Sequence, residues 1–314
     1  MTDPLWQRTG TELVALMASV DVSAREVIEA HLERIDEVNG WLNAAVLVAA
    51  DEARAAADAT DRARAAGETL GPLAGVPFTV KDGLDLAGHP TTYGIPAFAG
   101  NVAPVDDPTI GRLRSAGAIP IAKTNQPEMA MRLATDNPLF GLTRNPWHPD
   151  RTASGSSGGD ASAIASGMTP MGVGSDLGGS VRNPAYACGI AATKTSLGRL
   201  PVHGTSPRAS EALLGRQLMA VAGPMARSVA DLEAMLRVTV GRHPRDPRSV
   251  DVPHDGSSFV RRAAVPTDLP GGPIHPDARE AVRRAGEALA ADGWEVVDAT
   301  PPEMERCYDV WGRL

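Results

Sequence analysis

Residues 155–182 form a segment rich in glycine and serine, GSSGGDASAIASGMTPMGVGSDLGGSVR, in which several hydroxyl groups could act as nucleophiles. Glycine-rich loops also bind phosphate through backbone N–H groups, so a nucleotide site is one alternative. The segment contains neither G-x-x-x-x-G-K-[ST] nor a G-x-G-x-x-G that follows a strand and opens a helix. The absence of both motifs disfavours a phosphate-binding loop.

A second alternative is the nucleophile elbow of α/β-hydrolases, because residues 155–159 match G-x-S-x-G with Ser157 at the centre. The elbow requires a strand directly before the serine, but the preceding residues, RNPWHPDRTAS, are typical of a loop. A histidine base is also needed, and the candidates lie in polar, proline-rich or loop-like stretches: His203, His243, His254 and His275. These contexts disfavour the elbow.

Lysine is rare in this chain. Of 30 lysine and arginine residues, only Lys81, Lys123 and Lys194 are lysines. Arginine stays protonated in proteins, whereas a buried lysine can lose its proton and act as a base. Lys81 follows the apolar residues 76–80, which predict a buried strand ending at this lysine. Lys123 also ends a predicted strand and is the rival base.

Five stretches occur in order along the chain: GVPFTVKDGLDLAG, KTNQPEMA, NPLFGLTRNPWHPDRTASGSSGGD, GVGSDLGGSVRNPAYACG and GPMARSVADLEAML. Together they resemble the amidase signature family, from about residue 10 to residue 240. The resemblance implies an α/β fold with a mixed twisted β-sheet core covered by helices on both faces. It also implies hydrolysis or transfer of amides by a Ser-cisSer-Lys triad.

The resemblance assigns three catalytic roles, with Lys81 as the base, Ser156 as the bridging serine in a cis peptide bond and Ser180 as the nucleophile. Backbone N–H groups of four residues are expected to form the oxyanion hole: Leu177, Gly178, Gly179 and Ser180. Such a hole needs several N–H groups aimed at one point, in turns that most side chains forbid and glycine permits.

Further residues are expected to support this site. The resemblance implies that three of them hold the catalytic loops: Ser157, Asp176 and Arg182. Others are expected to line the acyl pocket: Met129, Ala130 and Met131, with residues 137–142. The chain departs from the usual family pattern at three places: Ser154, Asp160 and the KTS of residues 194–196. We expect these departures to affect loops and pocket walls rather than the catalytic positions.

The predicted function is hydrolysis of carboxylic amides to an acid plus ammonia or an amine, through an acyl-serine intermediate. Two alternatives stay open. One is the A subunit of a tRNA-dependent amidotransferase, which would need partner subunits, and the other is a non-catalytic binding subunit. The resemblance implies no metal and no organic cofactor. A small-molecule amide is the expected partner, and a homo-oligomer is considered.

The composition of the chain argues against nucleic acids and membranes as partners and indicates a cellular location. The chain has 314 residues and a formal net charge of −8 without a long basic run, which argues against nucleic-acid binding. The first residues are not expected to form a signal peptide, and no apolar run approaches the ~20 residues of a membrane span. Cys188 and Cys307 are too few for a disulfide framework, so a reducing, cytoplasmic location is predicted.

The elements that must position these residues alternate between helix and strand. Helices are predicted at residues 23–38, 50–66, 107–116, 160–168, 228–240 and 277–291. Strands are predicted at residues 76–80, 118–123, 170–175, 260–266 and 294–298, and a long loop at residues 137–157. Ser23 and Glu26 match a capping box, and Ser228 is a predicted N-cap.

We predict a single amidase domain over residues 1–314. Its parts are an N-terminal helical part at 1–70, the signature core at 71–240, a loop or linker at 241–258 and the start of a C-terminal part at 259–314. The last stretch, EMERCYDVWGRL, is predicted to be a helix with apolar residues on one face and no stop signal. We therefore expect further chain to complete the sheet and the substrate pocket.

Overall fold

The computed structural model describes residues 3–203, 214–253, 260–266, 273–311 and 313. The backbone divides into two compact units, Met1–Val252 and Pro253–Leu314. The division lies within the predicted linker at 241–258, of which residues 254–259 are outside the described part. The assignment of all 314 residues to one domain stays a prediction.

The first unit contains a six-stranded sheet in the order β1-β3-β2-β4-β6-β5. The strands are β1 (Ala45–Val48), β2 (Pro77–Lys81), β3 (Ile119–Thr124), β4 (Met171–Asp176), β5 (Ala191–Ala192) and β6 (Val221–Ala226). Strand β2 runs parallel to β3 and β4, whereas β1 is antiparallel to β3, and β6 is antiparallel to β4 and β5. The predicted α/β class with a mixed, helix-covered sheet is confirmed.

The helices described in this unit are α1 (Gly10–Ala18), α2 (Ala24–Leu42), α3 (Ala50–Ala65), α4 (Pro108–Ser115), α5 (Gly158–Ala165), α6 (Arg182–Cys188), α7 (Leu214–Met219) and α8 (Val229–Thr239). Helix α2 begins with the predicted capping box of Ser23 and Glu26. The Ser228 hydroxyl accepts from Asp231 N and caps α8 as predicted.

Strand β2 is buried along its whole length. Phe78 and Val80 belong to the main apolar cluster, and burying each contributes roughly 1.5–3 kcal/mol. Successive side chains in a strand project to opposite faces, so Thr79 and Lys81 lie on the other face of the sheet. The predicted buried strand ending at Lys81 is confirmed. One face of β2 therefore supports the core while the other carries polar groups.

The first turn of α5 lies so close to the end of β3 that only glycine fits at residue 159. Gly159 N donates to Asn125 O at 3.2 Å. A Cβ on Gly159 would lie 2.5 Å from that same oxygen, a distance that real Cβ atoms essentially never show. The glycines of the Gly/Ser segment therefore allow α5 to sit directly on the sheet.

Two glycines of β4 make room for polar groups on the Lys81 face of the sheet. A Cβ on Gly172 would lie less than 3.0 Å from Thr79 Oγ1. A Cβ on Gly174 would lie 2.5 Å from Ser157 Oγ. The space that two side chains would occupy is filled instead by hydroxyl groups from β2 and from the turn before α5.

Strand β6 is not predicted by the sequence pattern, although it pairs with β4 along its length. Gly223 and Pro224 are both disfavoured inside strands. Here Pro224 lies opposite Val173, and its carbonyl accepts from Thr193 N at 3.0 Å. A Cβ on Gly223 would lie 2.8 Å from Val181 Cγ1. Packing between distant parts of the chain determines this strand, and the pattern also misses α1, α6, α7, β1 and β5.

The second unit pairs β7 (Arg262–Ala264) in parallel with β8 (Glu295–Val297). Helix α9 (Pro276–Ala291) lies between these strands in the chain, and α10 (Met304–Trp311) follows them. These elements confirm the predicted helix at 277–291 and the predicted strands near 260–266 and 294–298.

Within the described ranges, no helix combines the length and the apolar character needed to cross a membrane.

The approach of α5 to β3 can be tested by substitution. We expect Gly159→Ala to lower the free energy of unfolding by about 1–3 kcal/mol, because the new Cβ meets Asn125 backbone atoms. Gly40→Ala is the matched control, because Gly40 lies inside α2 with nothing within 4 Å of an added Cβ. That variant should gain about 0.5–1 kcal/mol. Urea unfolding would measure both, and equal stabilities would contradict the close approach.

Candidate active site

The Lys81 amine lies among three hydroxyl groups at the end of β2. The Lys81 side chain is 0% exposed. Its Nζ atom lies 2.6 Å from Ser156 Oγ, 2.9 Å from Ser157 Oγ and 3.1 Å from Ser175 Oγ. An amine held by three hydroxyls and screened from solvent is suited to exchanging protons with a serine.

The turn before α5 presents Ser156 and Ser157 to this amine. The Gly155–Ser156 peptide bond is cis, as the resemblance predicts. A Cβ on Gly155 would lie 2.6 Å from Arg132 O. Ser157 N donates to Ser180 O at 3.0 Å, which ties this turn to the loop after β4. The backbone therefore brings the three predicted catalytic residues into one region.

The Ser180 side chain is partly exposed, in contrast to the buried Ser156 and Ser157. Its hydroxyl makes no hydrogen bond to any residue in the described part of the chain. The contact that a proton relay from Ser180 to Ser156 requires is therefore not formed in this geometry, although the backbones of the two loops are joined.

The loop after β4 is held by the carboxylate of Asp176. This side chain accepts from Gly179 N at 2.8 Å, from Val181 N at 3.1 Å, and from Arg182 at 2.9 and 3.1 Å. Burial alone would raise the pKa of the Asp176 carboxyl, but Arg182 and the two N–H groups together hold it below its usual range. Asp176 therefore acts as an anionic centre around which the loop folds.

The same hydrogen bonds correct one expectation about the oxyanion hole. Gly179 N–H is already donated to Asp176 Oδ1, so this group is not available to an oxyanion. Three of the four predicted donors, on Leu177, Gly178 and Ser180, have no acceptor among the described residues. Gly179 is needed for its backbone conformation, with φ +116°, rather than for its N–H.

Burial is the main influence on the protonation of Lys81. Desolvation lowers the pKa of this lysine well below its usual range, while the carboxylates of Asp160, Asp176 and Asp82 act in the opposite direction. The neutral amine is therefore accessible under conditions in which an exposed lysine would be fully charged.

Lys123, the rival base, lies on the opposite face of the sheet. Lys123 lies opposite Val80 in the neighbouring strand, and Lys81 lies opposite Thr124. Because successive side chains of a strand project to opposite faces, the two lysines are on different faces of the sheet. Lys123 Nζ donates to Pro90 O and to Thr91 Oγ1. Burial lowers its pKa to about 8, but the three candidate serines make no hydrogen bond to it. Its contacts are those of a structural lysine.

The predicted acyl-pocket residues form an exposed turn beside Gly155. Met129 and Ala130 have positive φ values of 51° and 59°. Met131 is 75% exposed, and Met129 is also exposed. The main chain of Arg132 in this turn contacts Gly155, next to Ser156. The turn therefore presents apolar side chains near the serines, although lining of a pocket stays a prediction.

The nucleophile-elbow alternative does not fit the geometry. Ser157 is fully buried, and the residues before it form bends and turns rather than a strand. Ser157 Oγ makes its hydrogen bonds to Lys81 and Ser175, and to no histidine among the described residues. His254 lies outside the described residues.

Two polar residues of this region are missed by the sequence reasoning. Ser175 contacts Lys81 directly, and the only signal for it is a hydroxyl residue in the strand that ends at Asp176. Asp160 is noted as a departure from the family pattern and expected to affect a loop. Instead, it is a fully buried residue of α5, hydrogen-bonded to Thr79.

Comparisons with known proteins agree with this geometry. The chain is 42% identical over 313 residues to indoleacetamide hydrolase of Bradyrhizobium diazoefficiens, covering 98% of this chain and 59% of that relative. It is 39% identical to the A subunit of glutamyl-tRNA(Gln) amidotransferase from Acidothermus cellulolyticus, covering 96% of this chain and 60% of the relative. The chain thus spans less than two thirds of the length of these relatives.

Solved structures give the same result. A bacterial aryl acylamidase of the amidase signature enzymes matches with a TM-score of 0.84 and 31% identity, over 99% of this chain and 65% of that one. Fatty acid amide hydrolase matches with a TM-score of 0.86 and 28% identity, over 98% of this chain and 56% of that one. An amidase family profile matches residues 26–313, so the chain belongs to the amidase family.

Proposed function

We propose that this chain carries the catalytic centre of an amidase, which cleaves carboxamide C–N bonds through an acyl intermediate on Ser180. The observation that carries the proposal is the buried Lys81 amine, 2.6 Å from Ser156 Oγ. The hydrogen bond from Ser157 N to Ser180 O supports it, because it keeps the nucleophile's loop beside the other two residues. Membership in the amidase family supports the same assignment.

The three hydroxyl contacts of Lys81 are compatible with either protonation state of the amine. In a neutral amine, two N–H groups can donate to Ser157 and Ser175, which leaves the lone pair free to take the proton of Ser156, whose Oγ lies 2.6 Å away. An ammonium group would donate to all three hydroxyls and offer no lone pair. Since burial lowers the pKa of Lys81, the neutral form is available as the base.

In acylation, Ser180 Oγ attacks the amide carbon while its proton passes to Ser156, whose own proton passes to Lys81. The C–N bond then breaks, and Lys81 returns a proton through Ser156 to the departing nitrogen. Water repeats this path against the acyl ester, releases the acid and restores Ser180. The relay closes when substrate binds, since catalytic hydrogen bonds often tighten only in the complex.

The negative charge that develops on the carbonyl oxygen needs N–H donors. The backbone N–H groups of Leu177, Gly178 and Ser180 are the proposed oxyanion hole. Asp176 and Arg182 support it by holding the loop from outside. Nucleophile, base and donors all come from the chain, so the proposed reaction uses no metal and no organic cofactor.

The proposed substrate is a small-molecule amide with an apolar acyl group. Met129 and Met131 support this choice, because they expose apolar side chains next to the serine turn. The names of two relatives, an indoleacetamide hydrolase and an aryl acylamidase, point to aromatic amides as the first compounds to assay.

A second candidate function is the A subunit of a tRNA-dependent amidotransferase, favoured by the 39% identity to such a protein. The two functions differ in their need for other proteins. Steady hydrolysis of aromatic amides by the purified chain alone would favour the amidase. Glutamine hydrolysis that appears only after partner subunits are added would favour the amidotransferase.

The role of Lys81 can be tested against the other buried lysine. We expect Lys81→Met to slow labelling of Ser180 by a fluorophosphonate, and amide hydrolysis, by roughly 10³-fold, because the general base is lost. Lys123→Met is the matched control and should retain labelling, since Lys123 contacts Pro90 and Thr91 instead. Peptide mapping identifies the labelled serine. Labelling of Ser157, or an active Lys81→Met variant, would refute the proposed triad.

The Asp176 carboxylate provides a test of the oxyanion loop. We expect Asp176→Asn to lower the free energy of unfolding by about 2–3 kcal/mol, because Arg182 and two backbone N–H groups lose their anionic acceptor. Labelling of Ser180 should slow by roughly tenfold or more as the donors lose alignment. Glu37→Gln removes an exposed ion pair with Arg34 and should cost less than about 0.5 kcal/mol. A normally labelled, stable Asp176→Asn variant would contradict the assigned role.

The pH dependence follows from the lowered pKa of Lys81. Because the base must be neutral, we expect the labelling rate to rise with pH. The rise should level off well below the usual lysine range of about 10.4. Rates of fluorophosphonate labelling across a pH series would measure this, and a rate that falls with rising pH would exclude a lysine base.

A further inference from the structure

Asp160 is a buried acid with little compensation. It lies in the first turn of α5 and is fully buried. Its Oδ1 atom accepts one hydrogen bond, from Thr79 Oγ1 at 3.0 Å. Its Oδ2 atom is buried without a hydrogen-bond partner among the described residues. The hydroxyl of Thr124 acts on this carboxyl but makes no hydrogen bond of ordinary geometry.

This carboxyl lies on the same face of the sheet as the Lys81 amine. Thr79, which binds Asp160, is two residues before Lys81 in β2, so their side chains share a face. Two glycines of the neighbouring strand β4 show the same arrangement of Asp160 and the amine cluster along the sheet. A Cβ on Gly172 would lie 3.2 Å from Asp160 Oδ1, and one on Gly174 would lie 2.5 Å from Ser157 Oγ, which binds Lys81. Asp160 therefore contacts the same face of the sheet two residues before the amine cluster, counted along β2 and along β4.

Three carboxylates act on Lys81: Asp160 of α5, Asp176 at the end of β4 and the adjacent Asp82. The other two are well compensated, since Asp176 accepts four hydrogen bonds and Asp82 accepts three. Asp160 accepts one. Asp160 therefore has the fewest hydrogen bonds of the three, and its carboxylate raises the pKa of Lys81 more than the other two do.

Burial raises the pKa of the Asp160 carboxyl, and the nearby Lys81 amine acts against that rise. The carboxylate in turn favours a protonated Lys81. The two groups therefore titrate as a pair, in which a proton on one opposes a proton on the other.

Resting on the proposed function, we propose that Asp160 is a positioning residue for the base, because its buried carboxylate stabilises the ammonium that forms when Lys81 takes the serine proton. The proton that leaves Ser180 through Ser156 then stays on Lys81 until the departing nitrogen accepts it. No further reactant is required. A neutral residue at position 160 leaves Lys81 a weaker base that is neutral at lower pH.

The test uses the rate of fluorophosphonate labelling of Ser180 as a function of pH. In Asp160→Asn we expect the acid limb to move to lower pH by about one unit, because the lysine loses an attractive charge. The plateau rate should fall, since a less basic amine accepts a proton less readily. Asn has nearly the same size as Asp, and its side-chain oxygen can keep the hydrogen bond from Thr79.

Three further variants serve as controls. Asp160→Ser, which also removes the carboxyl, should reproduce the shift, and Asp160→Glu, which keeps a carboxyl, should restore part of the original profile. Asp107→Asn removes another buried acid whose pKa burial raises, to about 7. Asp107 does not act on Lys81, so this variant should keep the original acid limb.

The outcomes separate this inference from the proposed function. A wild-type protein that is not labelled at Ser180 refutes the proposed function itself. Normal labelling with an unchanged acid limb in the Asn and Ser variants, or a slower rate without a pH shift, refutes the role of Asp160. If neither variant folds, infrared difference spectra of Asp107→Asn decide, because that variant lacks the other buried carboxyl whose pKa burial raises. A buried carboxyl that loses its proton near neutral pH, as labelling rises, supports the pair, and its absence refutes it.

Discussion

The burial of the Lys81 amine on one face of the sheet is the main physical constraint on this region. A charged ammonium is costly to bury, so Lys81 must either lose its proton or be surrounded by polar groups. Three serine hydroxyls supply those groups. They can reach the amine because two positions carry no side chain that would occupy the space: Gly155, before the serines, and Gly174, on the neighbouring strand β4. The burial of one side chain therefore accounts for the glycines at positions 155 and 174.

The alternation of β2 separates two kinds of environment. Phe78 and Val80 enter the main apolar cluster, while Thr79 and Lys81 face α5. A shift of one residue in the register of β2 would exchange these faces and bury the amine among hydrocarbon groups. The parallel pairing of β2 with β3 and β4 fixes this register from both sides. Stability and chemistry therefore depend on the same pairing.

The sequence predicts most elements of the sheet that carry strong local signals. Strand β2 and helix α2 are examples, because an apolar run and a capping box are local features. Strand β6 is missed because Pro224 is accommodated only by its partner strands. In the site, the motifs identify the residues around Lys81. They do not indicate that the Gly179 N–H group donates its hydrogen bond to Asp176. Hydrogen bonds between distant residues leave no periodic trace in a sequence.

The distribution of lysine also determines where amine-directed reagents can attach. Two of the three lysines, Lys81 and Lys123, are buried. Lys194 is the remaining side-chain amine and is partly exposed, just after β5 at the edge of the sheet. Guanidinium groups keep their protons and are poor nucleophiles, so the arginines do not compete for an acylating reagent. Conjugation through succinimidyl esters is therefore directed to Lys194 among the side chains, and a dye or a solid support is joined to this one edge of the sheet.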